Sequence, residues 1–314
     1  MSASYLVNPI NLTCPAPAKL NLFLHVVGRR DDGYHLLQTL FRFIDFGDTL
    51  HFTRRDDGVV HRLNALENVP PEQDLCVRAA RLLQHVSGST FGVDIALEKR
   101  IPMGGGLGGG SSDAATTLLA LNRLWDLNLS RARLMELGLT LGADVPVFIF
   151  GENAFAEGVG EQLQAYPVPE AWYVVLFPPV QVPTAQIFAR LNLAELELTR
   201  PEWAHQELTP ATISLRIRGL SLPASYQLHN DLQPVVCSLY PEVARYLSFL
   251  GAASGVVLGE HAKARMTGSG ASVFAEFASA EQARQVLSQL PAEMHGIVTR
   301  GLAHHPLRDF VGTN

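Results

Sequence analysis

The sequence predicts an α+β chain of two domains, and three observations carry that expectation. In the first half, a strand (Phe91–Leu97), a glycine loop (Pro102–Asp113) and an alanine- and leucine-rich helix follow one another. In the second half, strand Val273–Phe277, helix Ala280–Leu290 and strand Met294–Thr299 make the mixed order of an α+β layer. At 314 residues and 47% hydrophobic composition, the chain is long enough for two cores. The aromatic and β-branched strand Trp172–Phe177, with the rigid connector from Pro178 to Pro183, puts the boundary near residue 165, between 1–165 and 166–314.

From Cys14 to Gly28 the residues alternate, with Leu20, Leu22, Leu24 and Val26 on one face and Lys19, Asn21 and His25 on the other. That is the period of a half-buried strand. Lys19 and Asn21 then project to the same side, as a solvated face or as a site. Arg29 to Gly33 is a polar turn, and Tyr34-His35 follows it as a base-stacking pair or a seal on the core edge. Thr39 to Phe52 reads as strand and Asp56-Asp57-Gly58 as a turn. Leu75, Ala79, Leu82 and Leu83 recur at helical spacing from Asp74 to Val86. Ser130 caps a helix, Arg131–Leu141, that Gly142 ends. Pro146 disfavours helix at Val145, so Asp144 is expected in a non-helical turn before a short buried strand, Val147–Phe150. Gly151 to Gly160 reads as a hairpin. Helix starts at Thr184, with Ile187 and Phe188, and again at Pro241, running to Leu250; Ala264–Met266 reads as strand and Thr267–Ser272 as a second glycine turn. Leu191 to Gln227 is weakly patterned.

Composition narrows the function. Charged residues make up 17% of the chain and the net charge is −6, so nothing draws it to nucleic acid. No apolar run reaches the length of a membrane span, and Met1 to Leu12 lacks the pattern of a signal peptide, so a cytoplasmic protein is expected. Cys14, Cys76 and Cys237 are few, odd in number and far apart, which fits reduced thiols rather than a disulfide framework or zinc site.

The stretch from Pro102 to Asp113 is the strongest signal. It places six glycines in the seven positions 104–110 and opens onto a helix carrying Ala114, Leu118, Leu121 and Trp125 on one face. Ser111, Ser112 and Asp113 are N-cap residue types. Glycines let main-chain N–H groups converge on an anion, and a helix N-terminus adds its dipole, so the loop has the makings of a phosphate site. It is not a Walker A loop, because Ser111 rather than Lys follows Gly110. Gly104, Gly106 and Gly109 satisfy G-x-G-x-x-G without the strand context of dinucleotide binding. A flexible linker fits poorly, since linkers seldom open onto an amphipathic helix.

Three motifs, Pro17-Ala18-Lys19-Leu20-Asn21, Pro102–Asp113 and Met266–Ser272, resemble in order and spacing the GHMP kinase superfamily, named for galactokinase, homoserine kinase, mevalonate kinase and phosphomevalonate kinase. Gly33-Tyr34-His35 with Gln38-Thr39, the run Pro102–Ser112, and Gly142-Ala143-Asp144-Val145-Pro146 are similar to its branch acting on a cytidine-diphosphate-linked methylerythritol in non-mevalonate isoprenoid synthesis. The resemblance implies a two-domain GHMP kinase fold with the active site in the cleft between domains. It implies transfer of phosphate from ATP, with Mg²⁺ on the phosphates, to the substrate's 2-hydroxyl.

By the same resemblance, Lys19 and Asp144 are catalytic. Pro102, Met103, Gly104, Gly105, Gly106, Leu107, Gly108, Gly109, Gly110, Ser111 and Ser112 wrap ATP. Asn21, Tyr34, His35, Thr184 and Phe188 contact the small-molecule substrate, with His35 reading the cytosine edge between Tyr34 and Phe188. The metal ligands stay open, and a monomer or weak homodimer is expected. Physically, a tertiary alcohol is a poor nucleophile, so a carboxylate placed to accept its proton is the natural device, with an ammonium to orient it. One departure concerns Asp74, where the family commonly carries an Asn near the adenine; an ionised Asp accepts hydrogen bonds but does not donate them. Two other readings are a kinase for another small alcohol, such as homoserine or mevalonate, and a non-catalytic nucleotide sensor on the same fold.

Overall fold

The computed structural model describes residues 10–64, 66, 69–193, 229–259 and 264–311. Most of Met1 to Leu12 and of the weakly patterned Leu191 to Gln227 therefore lies outside the described residues. The chain opens with a long antiparallel hairpin of β1 (Asn11–Arg29) and β2 (His35–Arg55). The expected polar turn joins them, closed by hydrogen bonds from Arg30 N to Tyr34 O at 2.7 Å and from Gly33 N to Arg30 O at 2.9 Å. Next come β3 (Val60–Arg62), α1 (Leu75–Ser87), β4 (Gly92–Glu98), α2 (Gly109–Leu124), α3 (Arg131–Leu141) and α4 (Val145–Phe150). The hairpin β5 (Ala154–Glu157) and β6 (Gln162–Ala165) completes a six-stranded sheet ordered β3-β4-β2-β5-β6, with β1 beside β2.

The second sheet has four antiparallel strands, β7 (Trp172–Leu176), β8 (Arg265–Met266), β9 (Val273–Phe277) and β10 (Gly296–Arg300), ordered β10-β7-β9-β8. Around it lie α5 (Thr184–Arg190), α6 (Gln233–Leu239), α7 (Pro241–Leu258) and α8 (Ala280–Leu287). The α+β class expected from the sequence is the class observed.

The first hairpin ties the halves together. Cys14 and Ala16 pack among α1 to α4, Leu20, Leu22 and Phe23 pack against Tyr173, Val175 and Phe274, and Leu24 and Val26 join the core of the second sheet. One strand thus feeds three apolar clusters and is buried on both faces. Lys19, Asn21 and His25 are buried too, so the half-buried alternation expected of this segment is not what forms. Register shifts between Pro17 and Lys19, Asn21 and Leu24, and Val26 and Gly28 break the two-residue period. The C-terminal residues return to the first core: Leu302 N donates to Phe43 O, and Leu307 and Val311 pack with α2 and α4.

Two local expectations need correction. Val147–Phe150 is helix rather than strand, and Asp144, with φ −84° and ψ −9°, is the residue that opens α4. Proline in a first helical turn forfeits no hydrogen bond, and a four-residue apolar run has no period to tell strand from buried helix. The glycine-loop helix begins at Gly109, with Gly108 before it at φ +73°, so Ser111, Ser112 and Asp113 lie inside the helix instead of capping it. Other ends differ by a few residues: β2 runs beyond Thr39–Phe52, α7 continues past Leu250, α8 stops before Leu290 and β10 starts after Met294.

Candidate active site

The glycine loop leaves β4 and enters α2 over a cavity of about 1100 Å³. Three hydrogen bonds hold it: Lys19 N to Leu107 O at 3.0 Å, Ser272 N to Gly105 O at 3.1 Å, and Ser112 Oγ to Pro17 O at 2.7 Å. Packing, as well as any ligand, demands its glycines. A Cβ on Gly106 would lie 2.3 Å from Thr267 O, because the second glycine turn closes directly on the first loop. A Cβ on Gly108 would press on Phe148 and on the Lys19 side chain. The first intrahelical bond of α2 is Ser112 N to Gly108 O, so the N–H groups of Gly109, Gly110 and Ser111 precede it, at the positive end of the helix dipole. Pro102 to Ser111 line the cavity, whereas Ser112 is fully buried and turns its hydroxyl to Pro17.

Lys19 and Asp144 meet at the mouth of this loop. The irregularity after Pro17 turns Lys19 inward, where its Nζ lies 2.5 Å from Asn21 Oδ1, 3.3 Å from Asp144 Oδ2 and 5.3 Å from the Phe41 ring centre. Asn21 is held in turn by Thr39 Oγ1, which accepts from its Nδ2 at 2.9 Å, and by Thr267 Oγ1, which accepts from its backbone N–H at 2.9 Å. The ammonium is almost fully buried, while the Asp144 side chain is 38% exposed and makes no capping bond to α4. A fixed cation thus orients a carboxylate that remains open to the cavity.

At the far end of the cavity, the His35 and Phe188 rings stack with centres 5.0 Å apart and planes at 29°, and Tyr34 is exposed beside them. Burial lowers the His35 pKa, and the Arg29 guanidinium lowers it further, so the ring is held neutral and able to both donate and accept. Thr184 Oγ1 lies 2.7 Å from Ser269 Oγ of the second glycine turn. All the sequence-derived site residues except Ser112 therefore line one cavity. At the departing position, Asp74 Oδ1 accepts from Cys76 N and Val77 N to cap α1, and Oδ2 pairs with Arg62 Nε at 3.0 Å.

Some participants escaped the sequence reading. Thr39 and Thr267 support Asn21 from remote segments, and nothing local marks a threonine for that task. Asp48, Lys99 and Asp113 form an ionic cluster at the base of the loop. Asp48, a charge between the apolar runs of β2, was the one available signal of it.

The family models match in two places, the GHMP kinases N terminal domain over residues 74–152 and the GHMP kinases C terminal over 213–296. A curated relative from Nitrosospira multiformis, 4-diphosphocytidyl-2-C-methyl-D-erythritol kinase, is 56% identical over 310 residues, covering 99% of this chain and 98% of its own. The chain belongs to the GHMP kinases. A relative of the same name from Thiobacillus denitrificans is 59% identical over 297 residues, 95% of this chain and 98% of that one. A crystal structure of 4-(cytidine 5'-diphospho)-2C-methyl-D-erythritol kinase is 34% identical and superposes with a TM-score of 0.74, over 93% of this kinase and all of that chain. A homoserine kinase from Cytophaga hutchinsonii, at 16% identity and TM-score 0.67, shares the fold. As a kinase of this family, the protein uses ATP as phosphate donor, and the departure at Asp74 does not remove it from the family.

Proposed function

We propose that this kinase transfers the γ-phosphoryl group of ATP to the 2-hydroxyl of 4-diphosphocytidyl-2-C-methyl-D-erythritol, releasing ADP and the 2-phosphate, in non-mevalonate isoprenoid precursor biosynthesis. Support comes from the names of relatives at 52% to 59% identity along nearly the whole chain. The single structural observation that carries the chemistry is the Lys19–Asp144 pair, 3.3 Å apart at the mouth of a helix-capping glycine loop.

In this reading the amides of Gly109, Gly110 and Ser111 take phosphate oxygens, and Pro102 to Gly108 wrap the nucleotide. Asp144 accepts the hydroxyl proton as the new O–P bond forms, a role that contributes about 10²- to 10⁴-fold in typical cases. Lys19 fixes the carboxylate and offsets charge on the transferred group. His35 reads the cytosine edge with Tyr34 and Phe188 beside the base, and Asn21 and Thr184 approach the erythritol and diphosphate.

A hard cation fits the donor set in one way. Among the described residues no three His, Cys, Asp or Glu side chains form a cage, and Asp74 and Asp113 are engaged by Arg62 and Lys99. Mg²⁺ would be held by phosphate oxygens and water, with Asp144 at most from the protein, the habit of this ion in phosphoryl-transfer sites. When bound it neutralises phosphate charge. We place the domain boundary near residue 165 and take the enzyme to be a cytoplasmic monomer or weak homodimer; no helix among the described residues is long and apolar enough to cross a membrane.

The test is ADP release by the purified kinase with ATP and Mg²⁺ across three alcohols. Turnover is expected with the cytidylyl substrate, competed by cytidine nucleotides, and not with homoserine or mevalonate. Comparable kcat/KM on either of those two would overturn the substrate assignment.

A further inference from the structure

Both ends of the glycine loop are fastened to one buried ionic cluster. At the entrance, Asp48 Oδ1 on β2 accepts from Arg100 N at 2.6 Å and from Ile101 N at 2.8 Å. Its other oxygen pairs with Lys99 Nζ at 2.5 Å. At the exit, the same ammonium lies 2.9 Å from Asp113 Oδ2 on α2. Lys99 also sits directly beneath the first residue of α2: a Cβ on Gly109 would lie 2.9 Å from Nζ. One lysine thus connects β2, the loop and the helix whose N-terminus faces the cavity.

The charges in this cluster do not balance. Two carboxylates share a single ammonium, leaving a net −1 when all three are ionised. Both aspartates are almost fully buried, and Asp113 Oδ1 has no hydrogen-bond partner among the described residues. Other groups around Asp113 do not correct this. From α1 the Cys76 thiol faces it, with the Asp74–Arg62 pair beyond, and from β1 the Lys19 side chain reaches only Gly108, where its ammonium is taken by Asn21 and Asp144. Burial raises the Asp113 pKa, Lys99 pulls it back and Asp48 raises it again, leaving it at about 7.

A triphosphate bound at the loop adds further negative charge above this surplus. We propose that Asp48, Lys99 and Asp113 are positioning residues for the glycine loop, and that Asp113 takes up a proton from solvent when the nucleotide docks. This rests on the assignment of that loop to ATP. The sign follows from linkage: the bound state favours neutral Asp113, so nucleotide affinity is highest at and below neutrality and falls as pH rises.

Titration calorimetry with magnesium and the non-hydrolysable β,γ-imido analogue of ATP, in two buffers of different ionisation enthalpy, tests the idea. At pH 7, wild type is expected to take up as much as about half a proton more per nucleotide than Asp113→Asn, the fraction left to fill at a pKa of about 7. In steady-state assays from pH 6 to pH 8.5, KM for ATP should rise several-fold more in wild type than in Asp113→Asn. A purely structural role would instead shift both enzymes equally at every pH. Asp48→Asn removes a charge that raises the Asp113 pKa, so it should move the transition to lower pH, and an unchanged or higher transition would overturn the proposal. Lys99→Met separates the two layers of inference. If affinity falls in Lys99→Met while proton uptake is identical in wild type and Asp113→Asn, the loop holds ATP and the proton proposal is overturned. Lys99→Met binding the analogue as tightly as wild type would overturn the positioning role, and if Gly106→Ala also binds it as tightly, the loop assignment itself fails.

Discussion

Replacing Gly106 by alanine tests whether the two glycine turns act as one unit. Gly106 has φ +73°, and its added Cβ would lie 2.3 Å from Thr267 O and 2.9 Å from Gly270 O, both backbone atoms with no flexible end to move aside. Gly88, which ends α1 at φ +68°, has nothing within 4 Å of the same atom and serves as the control. The left-handed conformation alone costs an L-residue about 1–2 kcal/mol, and both variants carry that. At Gly106 the second turn must also retreat by about 1 Å to reach van der Waals distance. That retreat disrupts the Ser272 N to Gly105 O bond, adding about 1–3 kcal/mol for buried groups left unpaired. Urea denaturation should therefore show Gly106→Ala less stable than wild type by about 2–5 kcal/mol and Gly88→Ala by about 1–2 kcal/mol. KM for ATP should rise for Gly106→Ala alone. Equal destabilisation of the two variants, with KM for ATP unchanged, would refute the claim that the turns are interlocked.

The buried His305 ring is held neutral, with its pKa lowered to about 3 by burial and then by Arg131 and His304. Its folded pKa lies below the unfolded value, so the contribution is present above about pH 6.5 and is lost as pH falls, at about 1.4 kcal/mol per unit. His305→Gln should flatten the acid limb of stability, measured by denaturation at pH 5 and 7. Arg131 Nη1 donates to Ile149 O and Phe150 O, and its Nη2 to Arg308 O and Val311 O, clamping α4 to the returning C-terminus. Arg131→Met should cost about 1.5–3 kcal/mol by the same denaturation, the range for losing hydrogen bonds from a charged donor. Arg29→Gln removes a cation beside His35, so the His35 pKa should rise towards its ordinary value. Titration of the ring followed by NMR checks this, and KM for the cytidylyl substrate should then depend more steeply on pH between 6 and 7.

Much of this architecture was legible because local signals and tertiary demands agreed. Asp74 and Ser130 cap α1 and α3 as their residue types suggest, and Gly142 ends α3. The first hairpin was visible from its apolar runs and polar turn. The burial of β1 on both faces from Ala16 to Val26 was not, because it packs against residues beyond position 170 that no window along the strand contains. α4 was misread because its six residues are apolar all round, and a helix buried on every side has no periodic face. The site divides along the same line. The glycine loop announces itself by composition, and Lys19 and Asp144 emerged from a family resemblance. The loop's anchorage on Asp48, Lys99 and Asp113 depends on three segments meeting in space, as does the support of Asn21 by Thr39 and Thr267.

The central claim is that Asp144, held by Lys19, accepts the proton of the attacking hydroxyl. Rapid-quench measurement of one turnover in Asp144→Asn, at saturating ATP and cytidylyl substrate, addresses it most directly. Transfer should slow by about 10²-fold or more while ATP affinity stays within a few-fold of wild type. A single-turnover rate near that of the parent enzyme would contradict the account.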